Sequence, residues 1–215
     1  MPAIESTLGV LVAGGAGERL GAGLPKALVA LGGMTLLERS LRTLAPVCDD
    51  LVVAAPASVA LPLPAGVFAR GGSAPRRVED VAGARGPLAG IVAGLASTPF
   101  GRSVVLGVDF PCMETAFLEA LLERLDDVEA VVPAPRGTAQ PLAAAYAKAA
   151  APILSACHAG GEGAPTRALR ALAVRVLGDE EIARLPGGAD CLFNLNTGAD
   201  RIEAERRLAT RAGLR

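Results

Sequence analysis

Residues 10 to 28 read VLVAGGAGERLGAGLPKAL, in which four glycines within eight positions, Gly14, Gly15, Gly17 and Gly21, accompany two cations, Arg19 and Lys26. Glycine lets a backbone take positive φ and turn its N–H groups toward an anion, and a pair of cations adds charge that a simple turn does not need. The segment therefore reads as a phosphate cradle; the competing reading is a glycine-rich strand-to-helix turn with solvated charges. Two familiar phosphate loops fail on spacing. The dinucleotide fingerprint G-x-G-x-x-G, begun at Gly15 and Gly17, requires glycine where the chain has Leu20. A P-loop requires Gly-Lys-Ser/Thr, whereas Lys26 stands between Pro25 and Ala27.

A carboxylate supplies the second candidate. Asp109 directly follows the apolar run Ser103 to Val108, so a strand there delivers it at its carboxyl end, where open α/β sheets bind ligands. A hard oxygen ligand at that position suits Mg²⁺, which takes one or two carboxylates together with substrate phosphates and water. The alternative is an aspartate that caps the Phe110-Pro111 turn. Other reactive residue types read as structural. His158, the only histidine, lies beside Cys157 near Gly160-Gly161, at a helix end or in a loop. Cys112 has no basic neighbour in sequence to lower its pKa, which argues against a nucleophile. Arg76 and Arg77 read as solvated loop charges, with contact to an anionic acceptor as the alternative, and Glu79 and Asp80 as a helix or turn start.

Short β-rich runs alternate with helical patterns, the signal for βαβ units and a mainly parallel sheet. Strands are expected at about Leu8 to Ala13, Leu51 to Ala55, Ser103 to Val108, Ala130 to Pro133, Pro141 to Tyr146 and Val174 to Leu177. Several are unbroken apolar runs, as strands buried on both faces should be. The first clear helix is Thr35 to Leu44, with Thr35 and Glu38 as a capping box and Glu38 and Arg42 at i, i+4. Residues 14 to 34 are then a long binding loop, since structureless connections of that length are uncommon without a function. Gly86-Pro87-Leu88-Ala89-Gly90 opens a second helix with proline at its first position and a stripe of Leu88, Ile91, Val92 and Leu95. Phe117, Leu118, Leu121, Leu122 and Leu125 repeat the helical spacing, and Ala199 to Thr210 reads as a polar helix with Glu203 and Arg207 at i, i+4. Pro56 to Pro64 and Gly160 to Pro165 read as surface loops.

The chain has 215 residues, enough for one sizeable core, so residues 1–215 are expected to form a single domain with its core at about 8–205. With a formal net charge of −1, no Trp and one Tyr, it offers neither a basic surface nor stacking platforms for nucleic acid. Cys48, Cys112, Cys157 and Cys191 lie far apart without a C-x-x-C, which disfavours zinc and a disulfide framework and suits free thiols in a reducing compartment. MPAIESTLGV carries an acidic residue where a signal peptide has basic ones, and no apolar run approaches the ~18 residues of a membrane span. These features lead to the expectation of a cytoplasmic protein without membrane partners.

The order Val12-Ala13-Gly14-Gly15, Arg19, Lys26, Gly86-Pro87-Leu88-Ala89-Gly90, Val108-Asp109-Phe110-Pro111, Gln140-Pro141-Leu142 and Asn194-Leu195-Asn196-Thr197 resembles the molybdenum cofactor guanylyltransferases. The first element alone resembles the broader nucleotidyltransferase superfamily. The resemblance implies an α/β fold of the nucleotide-diphospho-sugar transferase type: a three-layer α/β/α, Rossmann-like, doubly wound and mainly parallel sheet. It implies Mg²⁺-dependent transfer of GMP from GTP to the phosphate of molybdopterin, with release of pyrophosphate and transient contact with insertion proteins or target enzymes. By matching positions, Val12, Ala13, Gly14, Gly15 and Asp80 would contact the nucleotide, Arg19 and Lys26 would hold its triphosphate, and Asp109 would carry the metal. The acceptor side would fall to Gly86, Pro87, Leu88, Gln140, Asn194 and Asn196. Ala54, Pro25 and Gly198 depart from the family's usual residues. The alternatives are a cytidylyltransferase, a guanylyltransferase for another phosphorylated acceptor, or a non-catalytic nucleotide-binding relative. A nucleotide-sugar glycosyltransferase would need D-x-D, and position 111 is Pro111.

Overall fold

The protein is described from a computed structural model covering residues 6–14, 23–80, 86–97 and 99–213. Its first strand, β1 (Thr7–Val12), alternates: Leu8, Val10 and Val12 face one apolar cluster while Leu11 and the following Ala13 face another. Filling both faces buries the whole strand, which explains why its sequence is an unbroken apolar run. β1 lies inside a seven-stranded sheet and pairs in parallel with β4 (Asp50–Ala55) on one side and β6 (Arg102–Gly107) on the other. β5 (Arg76–Glu79) continues the parallel set beyond β4. Past β6 the sheet is mixed: β8 (Ala143–Ala147) runs antiparallel to both β6 and β7 (Ala130–Pro133), and β9 (Val174–Leu177) closes the edge parallel to β7.

Helices cover both faces. α1 (Leu36–Leu44) and α3 (Thr115–Leu122) bury Leu37, Leu41, Phe117 and Leu121 against the Leu11 face. α2 (Leu88–Ala96) and α4 (Ala150–Ala159) bury Leu88, Ile91, Val92 and Leu154 against the Val10 face. The short helices α5 (Pro165–Ala168) and α6 (Asp179–Ala183) and the long α7 (Gly198–Gly213) complete the layers. This is the expected three-layer, doubly wound, mostly parallel architecture. Among the described residues no helix is long and apolar enough to cross a membrane.

Several local expectations need correction. The described part of 14 to 34 is not a bare loop: Lys26–Leu28 form a 3-10 turn, and β2 (Ala30–Leu31) pairs with β3 (Met34–Thr35) in a hairpin. Gly32 and Gly33, at φ 58° and 79°, make the two-residue turn that this hairpin requires. Thr35 does cap α1, its Oγ1 accepting the Glu38 N–H at 3.1 Å. The reciprocal half of the box is lost because the Glu38 carboxylate turns to Arg42, 2.8 Å away. Arg76 and Arg77 are not loop charges. They form the β5 edge, where Arg76 pairs with Asp50 at 3.2 Å and Arg77 donates to the Pro56 carbonyl at 2.5 Å. β8 starts at Ala143 rather than Pro141, whose carbonyl instead receives the buried Tyr146 hydroxyl at 2.8 Å. Cys112 has basic neighbours after all, Arg211, Arg207 and Arg39, brought from distant segments; burial outweighs them and pushes its thiol pKa up. His158 lies in the last turn of α4, its Nδ1 3.1 Å from the Glu162 carbonyl oxygen.

Candidate active site

The carboxyl ends of the parallel strands open onto one cleft of about 350 Å³. β1 brings Val12 and Gly14 there, β5 brings Asp80, and β6 brings Val108 and Asp109, while the 3-10 turn contributes Lys26 and the entrance of α2 contributes Gly86 and Pro87.

Lys26 is the cation of this cleft among the described residues. Its Nζ donates to Asn196 Oδ1 at 2.9 Å and lies 3.9 Å from Asp109 Oδ2, with only 11% of the side chain exposed. Burial lowers the ammonium pKa, opposed by the nearby charges of Asp109 and Asp200. Asp109 is held from two directions: Asn194 Nδ2 donates to Oδ2 at 3.1 Å, and the Leu195 N–H donates to the Asp109 carbonyl at 2.8 Å. Leu195 is fully buried between the two asparagines. In Asn-Leu-Asn, then, the central leucine anchors the segment in the core while one flank orients the aspartate and the other meets the lysine.

Because a carboxylate can only accept, Asn194 presents its NH₂ group to Asp109 and leaves Oδ1 buried with no partner among the described residues. Asn194 also borders a second hollow of about 640 Å³, with Arg136, Gln140, Asp190, Phe193 and Arg207 around it. The Arg207 guanidinium covers one face of the Phe193 ring at 4.4 Å. Arg136 holds a left-handed backbone, φ 52°, and donates its N–H to Asp179 Oδ1 at 2.8 Å.

Asp80 sits between two motif glycines. A Cβ at Gly90 would come within 3.4 Å of its Oδ1, and one at Gly14 within 3.6 Å of its Oδ2. Burial raises the carboxyl pKa, opposed by Arg77, and Oδ1 is a second buried acceptor with no partner among the described residues. Gly86 must be glycine for two reasons: its φ is 81°, and a Cβ there would overlap the Gly163 carbonyl oxygen. Pro87 precedes α2 as its cap rather than occupying the first helical position, so the helix begins at Leu88.

The structure thus gathers Val12, Gly14, Lys26, Asp80 and Asp109 as expected. Ala13 and Leu88 are core residues: Ala13 is fully buried with its N–H on the Ala54 carbonyl at 2.8 Å, and Leu88 is fully buried beneath α2. Gly86 and Pro87, expected with the acceptor residues, share the cleft with the nucleotide set, whereas Gln140 and Asn194 border the second hollow. Gly15, Gly17, Arg19 and Gly21 lie outside the described residues. Pro56, Arg136 and Phe193 were not legible as lining residues, because nothing in their local sequence marks them, whereas Leu142 belongs to the Gln140-Pro141-Leu142 element. Among the described residues no group of three or more His, Cys, Asp or Glu could hold a metal. The Asp109 carboxylate at the cleft nevertheless fits Mg²⁺, which needs only one or two protein carboxylates and shares its coordination with substrate phosphates and water.

Residues 9–178 match the family described as the MobA-like NTP transferase domain. A probable molybdenum cofactor guanylyltransferase from Natronomonas pharaonis is 34% identical over 164 residues, covering 76% of this chain and 78% of that one. Among solved structures, molybdopterin-guanine dinucleotide biosynthesis protein A from Archaeoglobus fulgidus superposes with a TM-score of 0.75 at 25% identity, covering 95% of this chain and 99% of that one. The 2-C-methyl-D-erythritol 4-phosphate cytidylyltransferase from Thermus thermophilus shares the fold, with a TM-score of 0.67 at 20% identity over 94% of this chain and 98% of its own. With the family matched across most of its length and the strand-end cleft intact, this chain is a nucleotidyltransferase that belongs to the MobA-like NTP transferase family.

Proposed function

We propose that the enzyme transfers GMP from GTP to the terminal phosphate of molybdopterin, releasing pyrophosphate and forming a guanine dinucleotide cofactor. The observation that carries this reading is the Lys26–Asn196 and Asp109–Asn194 pairing, which fixes a cation and a carboxylate side by side at the strand ends. An acceptor phosphate oxygen forms the new bond to the α-phosphorus while the bond to the pyrophosphate oxygen breaks in line. The acceptor is already anionic, so no general base and no covalent enzyme intermediate is required.

Catalysis then consists of positioning and charge neutralisation. Lys26 would bind triphosphate oxygens, and at an effective dielectric near 20 a unit charge about 4 Å away contributes roughly 4 kcal/mol. Asp109 would hold Mg²⁺, which when bound neutralises phosphate charge. Asp80, whose buried Oδ1 near Gly90 has no partner among the described residues, suits a donor group of the nucleotide. The second hollow suits the acceptor: Asn194, whose buried Oδ1 has no partner among the described residues, and Gln140 both border it.

Thermal melting with GTP, CTP, ATP and UTP in the presence of Mg²⁺ tests the base, because a ligand of the native state raises apparent stability. GTP is expected to raise Tm most. A larger rise with CTP overturns the guanine assignment in favour of a cytidylyltransferase.

A further inference from the structure

The loop that carries Asn196 is held by a residue given no role so far, Asp200. Its Oδ2 accepts the N–H groups of Asn196 at 2.9 Å and Thr197 at 2.8 Å, while its own N–H donates to Thr197 Oγ1 at 3.2 Å. Thr197 and Asp200 therefore form a reciprocal capping box at the start of α7, with an aspartate where glutamate is usual. The same carboxylate also takes the amide one residue further back, that of Asn196, whose side chain receives Lys26 Nζ at 2.9 Å.

The rest of α7 is pinned as well. Arg211 pairs with Glu114 at 3.0 Å and donates to the Cys112 carbonyl at 2.6 Å, and Arg207 pairs with Asp190 and Glu203. Gly198, between the two capping residues, adds no steric restraint, for a Cβ there would meet open space. Beyond the anchor at Leu195, the Asn196 and Thr197 amides are held by the Asp200 carboxylate.

We propose that Asp200 is a positioning residue: it fixes the Asn196 backbone so that Asn196 Oδ1 meets Lys26, and thereby sets where the lysine charge lies in the cleft. This rests on the reading of Lys26 as a phosphate-binding group. An ordinary cap would affect stability alone, at about 1 kcal/mol. A positioning residue acts through Asn196, so the two must be coupled in function.

The test uses the full chain with Asp200→Ala, Asp200→Glu, Asn196→Ala and the double variant Asn196→Ala/Asp200→Ala. In steady-state guanylyl transfer, Asp200→Ala is expected to lower kcat by roughly 10-fold with KM for GTP nearly unchanged. Asp200→Glu, which rebuilds the common form of the box, restores kcat, and the double variant is no slower than Asn196→Ala alone. A second readout needs no substrate: Lys26→Ala shifts the Asn196 side-chain NH₂ signals in NMR in the wild-type background and leaves them unmoved in Asp200→Ala. Asp200→Leu, of similar shape and without an acceptor, replaces Asp200→Ala in both comparisons if the latter does not fold. Wild-type kcat in the Asp200 variant, a double variant whose loss is the product of the two single losses, or equal NMR shifts in both backgrounds overturns the proposal. A wild-type protein without guanylyl transfer overturns the functional reading instead, and the NMR comparison still decides the role of Asp200.

Discussion

Asn194 and Asp109, 85 residues apart in the chain, are joined by a 3.1 Å hydrogen bond that turns the aspartate toward the cleft and fixes the asparagine's own orientation. The bond occupies one carboxylate oxygen, while Asn194 itself also borders the second hollow. One contact thus links the two halves of the site.

Removing that contact should loosen the carboxylate proposed to hold Mg²⁺ without deleting it. Asn194→Ala is expected to raise the Mg²⁺ concentration needed for half-maximal turnover by about 10- to 100-fold, the usual cost of losing an outer-shell partner. A magnesium titration of GMP transfer checks this, and an unchanged titration would show that Asp109 is oriented without Asn194.

Lys26 and Asp109 should fail differently. Lys26→Ala removes a preorganised charge and is expected to lower turnover by on the order of 100-fold or more while some Mg²⁺ dependence survives. Asp109→Ala is expected to abolish Mg²⁺-dependent turnover, and full activity at ordinary magnesium levels would place the metal elsewhere.

Gly86→Ala tests the backbone that presents the α2 entrance. A side chain at φ 81° that also overlaps the Gly163 carbonyl should destabilise the fold by on the order of 2 kcal/mol, read as a lower urea midpoint. An unchanged midpoint would mean that the loop after α4 moves aside freely.

Asp80 carries a stability cost that depends on pH. Burial raises its folded pKa, so the fold favours the protonated acid, and stability falls as pH rises from the unfolded carboxylate range through the folded pKa. Asp80→Asn removes that fall: its Tm should exceed wild type at pH 7 and converge with it near pH 3. Tighter GTP binding by the variant would contradict the nucleotide contact assigned to Asp80.

Much of the fold was written in local patterns. The strand from Leu8, the α2 stripe of Leu88, Ile91, Val92 and Leu95, and the Glu203–Arg207 pair each depend on neighbours a few residues away, and each formed. β5 did not announce itself, because an edge strand is free to carry charge, and Arg76 and Arg77 find partners, Asp50 and the Pro56 carbonyl, that only the folded sheet brings near. The Gly32-Gly33 hairpin was legible from its glycine pair but was absorbed into the long loop. In the site, strand-end residues such as Asp109 could be placed from sequence, whereas the Lys26–Asn196 contact spans 170 positions and exists only through the fold. Asp200 could have been found from T-x-x-D following Asn196, a local signal whose target, the Asn196 amide, is not local in meaning.

Incubating the protein with Mg²⁺, GTP and molybdopterin and weighing the products by mass spectrometry tests the central claim most directly. Guanylyl transfer predicts a molybdopterin product heavier by one GMP unit together with pyrophosphate, with no such product from CTP. The dinucleotide formed from CTP and not from GTP, or no dinucleotide from either, contradicts it.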